Sequence, residues 1–97
     1  EVQVMVIGLT PVNEKAMPFA ECLWYSNNSC SIYEKRIEET CLDLNIPFLS
    51  IYNKMTKEAY WGKLISSDGI HLNSNGHKWI LKQIMEWDYL KNWSDIV

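Results

Sequence analysis

In the stretch "SSDGIHLNSNGHKWI" (residues 66–80), Asp68 and His71 stand three residues apart across Gly69. A histidine acting as general base must keep its proton on one ring nitrogen, so that the other can accept a proton from a nucleophile. A carboxylate on the far nitrogen fixes that tautomer and stabilises the imidazolium. Three-residue spacing in a turn lets the carboxylate curl back onto the ring of its own segment, and Gly69 removes the steric barrier to so tight a turn. By spacing alone, D-x-x-H is also the pattern of a surface aspartate beside a helix-proximal histidine. Asp68, His71 and His77 could further be read as metal ligands, but no fourth ligand falls at a recognisable spacing. The default for His77, in the first turn of the next helix, is a partly exposed helical residue.

The pair needs a scaffold, and the surrounding sequence supplies strands and helices in alternation. "VQVMVIGL" (2–9) is nearly all apolar, rich in β-branched residues and stopped by Gly8 and Pro11, which predicts a parallel strand buried on both faces. "SIYEKRIEETCLDLNIP" (31–47) predicts a helix. Ser31 and Glu34 are spaced as a capping box, and Tyr33, Ile37, Cys41 and Leu44 form one apolar face. Asn45 can close the helix in the left-handed conformation and Pro47 forbids its continuation. "FLSIY" (48–52) predicts a second strand, parallel to the first through a right-handed crossover.

A short helix is expected around Thr56–Tyr60, and a last helix from about Ser74 to Trp87, capped by Asn73 or Ser74, with Ile80, Ile84 and Trp87 on one face. Residues 11–30 are less regular. "AECLWY" (20–25) reads as a short helical piece, with Phe19, Leu23 and Trp24 packing onto the core. No internal repeat and no low-complexity segment is present.

The string "DGIHLNSNGHKWI" resembles the last sequence block of the SGNH, or GDSL, hydrolases, D-G-x-H-L-N-x-x-G followed by the final helix. Asp68, Gly69, His71, Leu72, Asn73 and Gly76 carry the match. "VMVIGLTPVNE" is similar to the family strand that ends in a G-x-x-P turn, and the helix and "IPFLSIY" resemble the segment leading to the D-x-x-H loop. The resemblance implies an α/β fold, the C-terminal part of a three-layer α/β/α flavodoxin-like sandwich with parallel strands, with residues 1–97 forming that portion of a single domain. It also implies hydrolysis of acyl esters or thioesters. Asp68 would orient His71, which would act as general base and then acid, with no cofactor and no metal.

The family's G-D-S block, which holds the nucleophile, and its G-x-N-D block are both missing from these residues; "SSDG" at Ser66–Gly69 is not the nucleophile motif. The expected function is therefore part of a serine esterase, with the nucleophile outside this chain. This chain alone is expected to be inactive. The alternatives are a non-catalytic remnant serving as a binding or assembly module, and an unrelated small α/β domain with a chance loop.

Composition bounds the partners. With 47% hydrophobic and 22% charged residues the balance is that of a folded domain. The formal charge of −3 and the scattered basic residues argue against nucleic acid or an anionic membrane surface. No apolar stretch reaches the length of a membrane span. A small acyl ester is the expected ligand. One partner strand leaves an apolar edge open, so self-association or a missing N-terminal segment is expected. Cys22, Cys30 and Cys41 form no C-x-x-C pair and are expected to be reduced and mostly buried. With no leader-like opening, a cytoplasmic setting is favoured and the N-x-S triplets at Asn27 and Asn92 read as chance matches.

Overall fold

The computed structural model describes residues 2–96. Its elements run β1 (Val6–Ile7), a 3-10 turn (Glu14–Ala16), α1 (Asn27–Asp43), β2 (Phe48–Leu49), α2 (Ile51–Met55), a second 3-10 turn (Trp61–Leu64), α3 (Ser74–Glu86) and α4 (Asp88–Ile96). This is a mixed α/β arrangement around one pair of parallel strands, in which Val6 faces Phe48 and Ile7 faces Leu49. Val6 N–H donates to Pro47 O at 3.0 Å and Gly8 N–H to Leu49 O at 2.8 Å.

Both strands are shorter than the sequence predicts. β2 stops after Leu49 because the chain turns at Ser50 directly into α2, so "SIY" starts a helix instead of extending a strand. A strand exists only where its backbone groups find partners, and β1 shrinks to match. Val2 and Val4 lie outside it and are exposed, and Ile7 within it is 46% exposed. The expected burial of this run on both faces is not met, and the outer edge of β1 has no neighbour among the described residues.

The capping box predicted at Ser31 and Glu34 does not form. α1 begins four residues earlier, where the Ser26 hydroxyl accepts from Ser29 N–H at 3.1 Å. Ser31 instead lies inside the helix and donates to the Asn28 carbonyl. The buried face also differs. Glu34 and Cys41 are buried and Ile37 half-buried, whereas Tyr33 and Leu44 are exposed. The helix ends as expected, with Asn45 left-handed at φ 55° and Ile46 N–H bonded back to Cys41 O.

The short helix expected at Thr56–Tyr60 lies earlier in the chain, as α2, and residues 56–60 form turns. "AECLWY" is not helical. Phe19 and Leu23 pair across a tight loop whose residues Ala20 and Glu21 are both left-handed, and Leu23 and Trp24 are exposed rather than packed in the core. The last helix falls where predicted, with Asn73 as its cap. Trp87 then adopts an extended conformation that separates it from α4, an element without a counterpart in the sequence-based expectation.

The core gathers Leu49, Ile51, Met55, Leu64, Ile65 and Trp79, and Trp61, Leu72, Ile80, Ile84 and Trp87 pack around it. The predicted apolar face of α3 is thus the one that turns inward, against the residues that flank the loop carrying Asp68 and His71. No helix among the described residues is long and apolar enough to cross a membrane.

Candidate functional site

The loop of residues 65–72 is a small hairpin. Ile65 and Leu72 pair antiparallel, Ser66 N–H donates to His71 O at 2.7 Å, and Asn73 N–H donates to Leu64 O at 3.0 Å. Asn73 anchors its exit at both ends of the side chain: the amide nitrogen donates to Lys63 O, and the oxygen accepts from Gly76 N–H at the start of α3. Gly69, at the hairpin tip, has φ 86°, a conformation that side chains rarely adopt, and a Cβ there would press on Ala16 and on the Asn13 carbonyl. That contact docks the tip on the 3-10 turn following β1, reinforced by Asn13 N–H donating to Gly69 O at 2.8 Å. The pair therefore sits beside the segment leaving the carboxyl end of β1, the end at which ligands gather in open α/β sheets.

Within this frame Asp68 is saturated with donors. One oxygen accepts from Ser66 Oγ at 2.8 Å and from the backbone N–H of Ile70 and His71 at 2.9 Å each. The other meets His71 Nδ1 at 2.5 Å. The backbone N–H of His71, then its ring, then the N–H of Ile70 and the Ser66 hydroxyl hold the Asp68 carboxyl well below the usual carboxylate range. An ionised carboxylate only accepts, so Nδ1 donates and Nε2 is left as the basic nitrogen. The His71 side chain is 69% exposed, which leaves Nε2 open to an approaching group. Among the described residues no serine hydroxyl is hydrogen-bonded to this ring, and Ser66 is occupied with Asp68. His77 lies on the exposed side of α3, and among the described residues no three His, Cys, Asp or Glu side chains converge as a metal site would require.

Two residues take roles at this end of the sheet that the sequence did not suggest. The Phe19 ring stands edge-on to His71 with centroids 6.1 Å apart, and Tyr25 follows at 6.4 Å from Phe19. Tyr25 in turn lines a groove of about 490 Å³ with Leu9, Trp24, Cys30 and Tyr33. The second is Glu34. Its carboxylate is 1% exposed and accepts from Leu9 N–H at 2.7 Å, Ser50 Oγ at 2.9 Å and Tyr52 N–H at 3.1 Å, tying together the carboxyl ends of both strands. The spacing Asn27–Glu34–Cys41, seven residues each, is the signal that would have placed Glu34 on the inward face.

Comparison with known proteins gives two relatives. The chain is 24% identical over 102 residues to a GDSL esterase/lipase, WDL1, of Oryza sativa subsp. japonica, across 94% of this chain and 39% of that protein. It is 23% identical over 105 residues to the GDSL esterase/lipase CPRD49 of Arabidopsis thaliana, across 97% of this chain and 41% of that protein. The chain is a distant homologue of GDSL esterase/lipases. It spans about two fifths of the length of these relatives. No family model matches it. The parallel strand pair with its helices is consistent with part of an SGNH hydrolase fold.

Proposed function

We propose that this chain supplies the Asp–His pair of a serine ester hydrolase of the SGNH type, and that residues 1–97 are the C-terminal portion of its three-layer domain. The observation that carries the proposal is the Asp68–His71 hydrogen bond, which leaves Nε2 basic and exposed on a rigid hairpin. The distant homology to GDSL esterase/lipases supports the reaction class. A serine hydroxyl from polypeptide outside these residues attacks the carbonyl of a small acyl ester while His71 Nε2 takes its proton. His71 then returns the proton to the departing alkoxide, and a water deprotonated the same way releases the acid. Asp68 stays ionised throughout and holds the ring. The groove flanked by Tyr25 and Trp24 offers apolar surface for a substituent of the ester.

The polypeptide bearing the nucleophile is proposed to cover the open edge of β1 and the run that leads into it, where Ile7, Val2 and Val4 are exposed. An open edge beside apolar side chains is otherwise a site of association. In the full-length protein, His71→Ala should lower kcat on p-nitrophenyl acetate by about three to four orders of magnitude while the fold is kept. A fluorophosphonate probe should label a serine outside residues 1–97. Near-normal turnover by the variant would exclude His71 as the base, and labelling of a serine within these residues would overturn the placement of the nucleophile.

A further inference from the structure

The hairpin bearing Asp68 and His71 meets the loop after β1 through Asn13, and the residue before Asn13 is bonded to a side chain of α1. The Asn27 amide, in the first turn of α1, clamps the backbone of Val12 at both of its polar groups. Its oxygen accepts from Val12 N–H at 2.8 Å and its nitrogen donates to Val12 O at 2.8 Å. Val12 is buried, as is Pro11 before it. The very next residue, Asn13, is the one whose N–H grips the Gly69 carbonyl at 2.8 Å, one residue from Asp68 and two from His71. Asn27 is itself tied down, since its own carbonyl accepts from the Tyr52 hydroxyl at 3.1 Å.

We propose that Asn27 is a positioning residue for His71, acting through Val12 and Asn13 to fix the height and tilt of the 66–71 hairpin. An asparagine side chain is suited to this, because its amide presents a donor and an acceptor side by side, matching one backbone residue. A shift of the hairpin tip moves the ring that must meet both a nucleophile and a leaving group, where misplacement by about 1 Å can cost on the order of a hundredfold in rate. The inference rests on His71 being the base of the proposed hydrolase, so its test includes a reading that does not depend on turnover.

The test compares wild type, Asn27→Ala, Asn27→Asp and Asp68→Asn in the full-length protein. Asn27→Asp keeps the size and the acceptor for Val12 N–H but turns a second oxygen toward Val12 O. The nitrogen-15 signals of the His71 ring report its tautomer and the Nδ1–H bond, with Asp68→Asn giving the signature of a broken pair. Both Asn27 variants should move the ring relative to its surroundings and so shift the His71 ring signals, Asn27→Ala more than Asn27→Asp, while keeping the Nδ1–H bond that Asp68→Asn loses. Both should also lower kcat by about tenfold or more, with KM changed less than about twofold. Unaltered His71 signals in a folded Asn27 variant would overturn the proposal, as would loss of the fold in both variants, which would assign Asn27 to stability alone. If the ring signals shift but His71→Ala leaves turnover intact, the relay stands and the hydrolase mechanism falls.

Discussion

A Cβ on Gly8 would overlap both carboxylate oxygens of Glu34, so the strand-end residue and the helix residue occupy complementary space. Gly8 follows β1 directly, and its lack of a side chain lets the Glu34 carboxylate reach Leu9 N–H on one side and Ser50 and Tyr52 on the other. Gly8→Ala should destabilise the protein by about 1–3 kcal/mol through overpacking. Glu34→Ala removes the acceptor and leaves backbone donors unpaired, at on the order of 1–3 kcal/mol for each one kept from water. Because Glu34→Ala also vacates the space that a side chain at position 8 needs, the double variant should cost less than the sum by about 1 kcal/mol or more. Urea unfolding of the four proteins of this cycle measures the coupling, and strict additivity would refute the contact.

Met55 is fully buried at the centre of the core, which it shares with Ile51, Leu64 and Trp79, whereas Leu81 on α3 is 59% exposed. Met55→Ala should therefore cost about 2–5 kcal/mol, from lost transfer energy and the cavity left behind. Leu81→Ala should stay within about 0.5 kcal/mol. Chemical denaturation gives both values, and equal costs would mean that the core lies elsewhere.

The elements that could be read from the sequence are those that carry their own local signals. α3 is set by the Asn73 cap and by Ile80, Ile84 and Trp87 at helical spacing, and its bounds agree to within a residue. The Asp68–Gly69–His71 contact is equally local, a short turn closing on itself. The misreadings come from interactions distant in sequence. Ser31 and Glu34 have the spacing of a cap, yet the Glu34 carboxylate bonds to residues 16 to 25 positions away, a demand no window around it reveals. "VQVMVIGL" has the composition of a long buried strand, but its paired length is decided by β2, which Ser50 cuts short. Phe19 reaches His71 across a loop in which Ala20 and Glu21 take left-handed conformations that neither residue type advertises.

The three thiols should react in a fixed order. Cys22 is exposed, Cys30 is half-buried and Cys41 is buried, which departs from the expectation that most would be enclosed. Burial, then the carboxylates of Glu34 and Glu14, pushes the Cys30 thiol up, which reduces its thiolate at neutral pH. With a disulfide reagent under native conditions, Cys22 should be modified first, Cys30 more slowly, and Cys41 only on unfolding. Mass mapping of the labelled peptides over time checks this, and early modification of Cys41 would show that the inward face of α1 does not stay closed.

Asp68 makes stability depend on acid in a way the sign of its shift determines. Its carboxyl lies well below the ordinary value, first through the His71 backbone N–H and then the His71 ring, so the folded state favours the ionised form. The unfolded chain titrates near the usual aspartate value of about 3.9. Well above that value this carboxyl is ionised in both states and its own contribution is complete. As pH falls through it, the unfolded state takes up a proton that the folded state refuses, and the contribution declines until the folded carboxyl protonates too. Asp68→Asn keeps an acceptor for the Ile70 and His71 N–H groups but removes the charge, so it should be less stable than wild type at about pH 5, where aspartate is still ionised in the unfolded chain. The gap should narrow through about pH 4 to about pH 3. Urea midpoints of the two proteins at these pH values provide the measurement, and a gap still undiminished at the lowest of them would mean that the donors around Asp68 do not hold its charge in the folded protein.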